Sequence, residues 1–191
     1  MVKPVLQTGE AMLREYAHAV PEEFFNTPAL DAMIKDMADS LDAAPDGVAI
    51  AGPQIGIPYR IFLVRYDRMQ PKDENESKPA ADVGVFINPD FVKLSKKSVM
   101  VDEGCLSVRD IYGKTRRRTQ ATVKAKDATG KAFQRGGGGI LAQAFQHEID
   151  HLDGILFTDH AVELVTVTDE DREKEREARK ERRKAAEQSD D

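Results

Sequence analysis

The chain has one cysteine, no tryptophan and few other aromatics, 8 Phe and 4 Tyr among 191 residues. A lone cysteine excludes an internal disulfide framework and a Cys-rich structural zinc site. No segment approaches the ~18 consecutive apolar residues of a membrane span. The opening stretch, MVKPVLQTGEAMLREY, lacks a signal-peptide apolar core and is too acidic and Arg-poor for a transit peptide. No repeat recurs at a period of ~20–50 residues. Together these absences lead to the expectation of a cytoplasmic protein without a membrane partner. Positive charge is also in deficit: 28 Lys and Arg face 34 Asp and Glu, a formal charge of −6. That balance argues against general nucleic-acid binding, and no direct sequence-specific nucleic-acid partner is expected.

What is present is a globular composition with one anomaly. Charged residues make up 32%, above the usual ~25%, and the excess sits at one end. From Thr168 to Asp191, 18 of 24 residues are charged and only Ala178, Ala185 and Ala186 are apolar. The expected division is therefore a folded domain over 1–167 and a charged tail over 168–191, helical or frayed. Without an apolar stripe the tail is not a coiled coil.

Within the domain, Leu30, Met33, Ile34, Met37, Ala38 and Leu41 recur at helical spacing, predicting an amphipathic helix from Pro28 to Ala44. Thr27 reads as its N-cap and Pro28 as its first residue; Pro45-Asp46-Gly47 ends it. Strands are expected at Arg60–Arg65, Val83–Ile87, Lys97–Val101 and Ala121–Lys126, with Lys131–Phe133 returning as a hairpin partner. A polar loop is expected over Tyr66–Asp82. Four glycines, Gly136–Gly139, precede a helix over Ile140–Leu152, and the sequence offers no reason for them. The order of elements predicts an α+β fold: antiparallel sheets packed around a central C-terminal helix carrying HExxH, with an N-terminal amphipathic helix.

The second helix contains Gln146-His147-Glu148-Ile149-Asp150-His151. Four residues correspond to about 400° of helical rotation, so His147 and His151 share a face and can converge on one cation. Glu148 lies about 100° away, placed to reach a water on that cation without being a ligand. The bland alternative is one helix with two solvated histidines. A catalytic site usually takes a third protein ligand. The extended zinc-protease pattern fails, because Phe157 stands where a third His is required and His160 comes three residues late. Glu163 is a second possibility, only 12 residues past His151 with no further helix between them. Cys105, in Asp102-Glu103-Gly104-Cys105-Leu106-Ser107 after a strand, does better, since a thiolate and two imidazoles form a known catalytic set. Its own alternative is a small buried hydrophobe.

Three segments, Gly47-Val48-Ala49-Ile50-Ala51-Gly52-Pro53-Gln54, Glu103-Gly104-Cys105-Leu106-Ser107 and Gln146 to His151, resemble in order the three motifs of the peptide deformylases. The similarity extends over about residues 3–165. It implies a hydrolase in protein biosynthesis and N-terminal methionine processing, one that removes the formyl group from the initiator formylmethionine of nascent polypeptides and releases formate. By resemblance, Cys105, His147 and His151 hold one divalent ion, Fe²⁺ natively, with Zn²⁺, Ni²⁺ or Co²⁺ able to substitute. Glu148 is then the proton carrier. Gln54 and the backbone N–H of Leu106 donate to the formyl oxygen. The peptide is implied to add as a strand against Val48, Ala49 and Ile50 and the segment after Ser107, with Gly104 also beside it, and Ile140, Gln143 and Ala144 line part of the methionine pocket. Asp150 is implied as a carboxylate behind the ligands, paired with one of Arg116–Arg118. The tail is implied as a ribosome contact.

Some positions depart from the family's pattern. Ala49 stands where Gly is usual, Gly52 where Ala is usual, and Arg109 where Pro is usual. On this reading Gly52 adds backbone freedom near Gln54, and restoring Ala49→Gly with Gly52→Ala raises efficiency if the changes matter. Two rival classes remain at this stage: an HExxH metallopeptidase with a third ligand other than Cys105, and a non-catalytic metal-binding or ribosome-docking homologue.

Overall fold

The computed structural model describes residues 1–69, 81–168, 170–171, 173–174, 177–178 and 181. In chain order the regular elements are α1 (Pro28–Asp42), β1 (Ala49–Ala51), β2 (Ile61–Arg65), β3 (Val83–Leu94), β4 (Ser98–Cys105), β5 (Val108–Arg118), β6 (Gln120–Lys126), β7 (Ala132–Gly138), α2 (Gly139–Leu152) and β8 (Val162–Thr166). The loop expected over Tyr66–Asp82 falls largely outside the described residues. So does most of the tail, whose described positions from 170 to 181 are helical.

All strand pairings in the two sheets are antiparallel. The larger has the order β1-β2-β3-β6-β7 and the smaller β4-β5-β8. Helix α2 packs against β1, β2, β6 and β7 of the first and β5 of the second, which places its polar end residues between the sheets. Its anchor is aromatic. Phe62 and Phe86 stack at 4.6 Å on the large sheet, and Phe145 of α2 meets Phe86 edge-on at 5.1 Å; all three are fully buried. Such contacts add about 0.5–1.5 kcal/mol per pair beyond area burial. Helix α1 covers the other side of β1 and buries Leu30, Met37 and Leu41. Thr27 caps it, accepting from the Leu30 N–H at 3.4 Å.

Several expectations about strands are corrected. β4 runs on to Cys105 instead of stopping at Val101, and β3 continues through Leu94 with two register shifts. β5 and β8 were not anticipated. The inward positions of β5 from Gly113 onward are Gly113, Thr115 and Arg117, so a search for alternating apolar residues passes over it. Gly136–Gly138 complete β7 and Gly139 opens α2. Gly52 also has a role beyond added freedom. A methyl group there would sit 2.9 Å from the Tyr59 carbonyl oxygen and 3.0 Å from that of Ile57. Gly52→Ala would therefore push the Gln54 turn away from rigid backbone, and raised efficiency is no longer expected from it.

Candidate active site

Three parts of the chain converge at the site. The turn Gly52–Ile55 after β1 carries Gln54, the end of β4 carries Cys105, and α2 carries His147, Glu148 and His151. The N-terminal segment ties the first two together. The Leu6 N–H donates to the Gln54 carbonyl and the Thr8 N–H to the Ser107 carbonyl, both at 2.8 Å, while the Gln7 side chain donates to the Leu106 carbonyl at 3.1 Å. At the opposite side, the Gln146 amide exchanges two hydrogen bonds with the Arg118 backbone, at 2.9 and 3.0 Å, and so fastens α2 to the end of β5.

Cys105 Sγ lies 3.1 Å from His151 Nε2, which lies 3.2 Å from His147 Nε2. Among the described residues this is the one group of three such side chains whose ligand atoms converge, all within 4.8 Å. A tetrahedral ion with metal–nitrogen bonds of ~2.0–2.1 Å and a metal–sulfur bond of ~2.3 Å needs donor separations of roughly 3.3–3.6 Å. The residues present fit such an ion. Glu163, the alternative third ligand, instead pairs with Lys114 at 3.0 Å on the exposed strand β8. His160 lies near Asp150, at 4.0 Å, and outside the converging group.

Behind the ligands is a buried ionic chain. Glu103 Oε1 lies 2.6 Å from His147 Nδ1, which leaves Nε2 to face the other ligands. Glu103 also accepts from Arg117 at 2.5 and 2.9 Å and from the Thr115 hydroxyl. Arg117 reaches on to Asp150 at 2.6 Å, so Arg117 is the member of Arg116–Arg118 that meets it. Burial alone would raise the Glu103 carboxyl, but Arg117 and His147 hold it well below the carboxylate range. The motifs contain Glu103 without giving it a part, and the sequence points to Arg117 only as one of Arg116–Arg118 and to Thr115 not at all. Their signal was positional: Glu103 is two residues before Cys105 on β4, opposite Gly113 of β5.

Burial would likewise raise the Cys105 thiol, yet the adjacent His151 and His147 draw it well below its ordinary value. Glu148 is 3% exposed and its Oε2 has no hydrogen-bond partner among the described residues. Burial dominates there and pushes its carboxyl up to about 7, against the opposing charges of His147 and His151. In the metal-free protein the sign follows directly. Between its ordinary 4.5 and about 7 the unfolded chain releases a proton that the folded chain keeps, so stability falls with rising pH and levels off above 7. Glu148→Gln removes that slope. Urea unfolding at pH 5 and pH 8 should show the variant's advantage growing by roughly 2–3 kcal/mol; an equal gap at both values would contradict the assignment.

The Gln54 amide is held at both ends. Its oxygen accepts from the Ala51 N–H at 2.8 Å, and its nitrogen donates to Ser107 Oγ at 3.1 Å and points toward Cys105 Sγ at 3.5 Å. A cavity of about 580 Å³ opens over these groups. Val48, Ala49, Gly104 and Leu106 form two of its sides, and Ile140, Gln143 and Ala144 of α2 form a third. Gly104 is required by a close approach: a Cβ there would lie 2.7 Å from the Tyr112 ring, which also borders the cavity. The Ile50 side chain is fully buried in the core with Leu41 and Leu63 and does not reach the cavity, because successive side chains of a strand alternate faces.

The sequence model of the family described as polypeptide deformylase matches residues 2–167. A peptide deformylase of Chloroflexus aggregans is 41% identical over 151 residues, which cover 76% of this chain and 79% of that one. Peptide deformylase 2 of Ralstonia nicotianae is 38% identical over 157 residues, covering 82% and 85%. Among solved structures, the class I type b peptide deformylase from Acinetobacter baumannii bound to Met-Ala-Ser superposes with a TM-score of 0.73 and 30% identity, covering 84% of this chain and 99% of that one.

Proposed function

The chain belongs to the polypeptide deformylase family, and from that premise we infer how its own residues remove the N-formyl group from formylmethionyl polypeptides. The observation that carries the reading is the convergence of Cys105, His147 and His151 within 4.8 Å, beside a buried, unpartnered Glu148 oxygen.

Cys105, His147 and His151 would hold one divalent ion, which when bound supplies Lewis-acid polarisation and lowers the pKa of water. Fe²⁺ is our proposal for the native ion, with Zn²⁺, Ni²⁺ or Co²⁺ able to replace it; one thiolate and two imidazoles suit all four. Glu148 takes the proton from the attacking water and delivers it to the amine nitrogen as the carbon–nitrogen bond breaks, giving formate and a free N-terminus. The Gln54 amide and the Leu106 N–H donate to the formyl oxygen as negative charge develops on it. The Ser107 and Ala51 hydrogen bonds keep the Gln54 amide from turning. Glu103 fixes the orientation of His147, and Arg117, itself held by Asp150, keeps Glu103 charged. Because β1 is the free edge of its sheet, the peptide can add as a strand between Val48–Ala49 and Gly104–Leu106, with methionine against Ile140, Gln143 and Ala144.

The direct test is formate release from formyl-Met-Ala-Ser by anaerobically purified protein loaded with Fe²⁺ or Ni²⁺. Formate no higher than that from a Glu148→Ala control would sink the reading.

Residues 168–191 we assign to an appendage outside the catalytic domain of 1–167, supported by the extent of the family match. A ribosome contact is its proposed role. Deleting 168–191 should leave the tripeptide rate intact and weaken co-sedimentation with ribosomes; unaltered co-sedimentation would refute that role. No helix among the described residues is long and apolar enough to cross a membrane, and we propose a cytoplasmic setting.

A further inference from the structure

The outer face of the β4–β5–β8 sheet carries apolar side chains that nothing in the described chain covers. Gly104 pairs with Tyr112, and Tyr112 pairs in turn with Val165, so the three form one row on one face. In the next row Lys114 pairs with Val162. Tyr112 is 48% exposed, Val165 57% and Val162 51%. This row begins inside the site, since Gly104 and Tyr112 both border the cavity above Cys105. It then leads away from the ligands to the edge strand β8. Neighbouring strands lie about 4.8 Å apart, so Val165 is roughly 10 Å from Gly104, about three residues of extended chain.

We propose that Tyr112, Val165 and Val162 extend the substrate cleft and receive apolar side chains of the formylated polypeptide beyond its third residue. The proposal rests on the deformylase reading of the cavity, and continuity with that cavity selects the occupant. The chain's own tail is a poor match, because 18 of its 24 residues are charged and its only apolar members are three alanines.

The test compares kcat/KM for formyl-Met-Ala-Ser, formyl-Met-Ala-Ser-Leu-Val and formyl-Met-Ala-Ser-Asn-Asn on the metal-loaded full chain. Partial burial of one aliphatic side chain predicts about a fivefold gain for the Leu-Val extension and none for Asn-Asn. In Val165→Asp, and separately in Val162→Asp, the Leu-Val gain over the same variant's tripeptide rate should fall to about one. Activity on the tripeptide with equal rates for both extensions in the unmodified chain would overturn the proposal while leaving the deformylase reading in place. A gain that survives both substitutions would also overturn it. So would equal rates accompanied by a dimer in sedimentation velocity, which would assign the face to a second copy. Failure on all three peptides would instead strike the reading of the cavity itself.

Discussion

Glu148→Gln should lower kcat on formyl-Met-Ala-Ser by about 10²–10⁴-fold, the usual contribution of a positioned acid–base group, with little change in bound metal. The carboxamide has nearly the same shape and fills the same buried space, but it cannot accept a proton from water or pass one to the departing nitrogen. Glu148 is not among the three converging ligand atoms, so metal content and turnover should separate. Formate release and metal analysis on the same preparation read the two quantities. If kcat stayed within a few-fold of the unmodified chain, another base would have to be found. Among the described residues no other buried carboxylate in the cavity is free for it: Glu103 is taken up by Arg117, Thr115 and His147.

Cys105→Ala should act at a different stage. It removes one of three ligands and leaves His147 and His151 3.2 Å apart at Nε2 with no third donor. Loss of partners merely behind a metal ligand costs about 10–100-fold in affinity; losing the ligand itself should exceed ~100-fold, and activity should fall with metal content. Competition with a chelator of known affinity measures this. Stoichiometric metal with full turnover in the variant would show that the thiolate is not a ligand, and would revive the bland reading of Cys105 as a buried hydrophobe.

These two outcomes bear on residues that were legible before any fold was known. The spacing of His147 and His151 is a property of helical geometry, and Cys105 was the better of the available third ligands. The supports of those residues were less legible. Arg117 and Glu103 sit on strands where their charge, taken alone, argues for exposure. They are buried at 6% and 4% exposure because each is the other's partner, and pairing across β4 and β5 brings them together from 14 positions apart. The direction of the Ile50 side chain was hidden for the converse reason: a motif names consecutive residues, whereas a strand sends alternate side chains to opposite faces, and that of Ile50 lies on the core side.

What the amino-acid sequence determined by itself was local and chemical: the helical placement of two imidazoles and a carboxylate, the lone thiol available to join them, and the concentration of charge over residues 168–191. Tertiary structure alone decided the rest. It put Cys105 within 3.1 Å of His151, assigned Arg117 rather than its neighbours to Asp150, gave Gly52 its tight fit beneath the carbonyls of Ile57 and Tyr59, and carried the Gly104–Tyr112–Val165 row out of the cavity. Each of these depends on strand register and on close approach between segments distant in the chain, and neither leaves a periodic mark in the sequence.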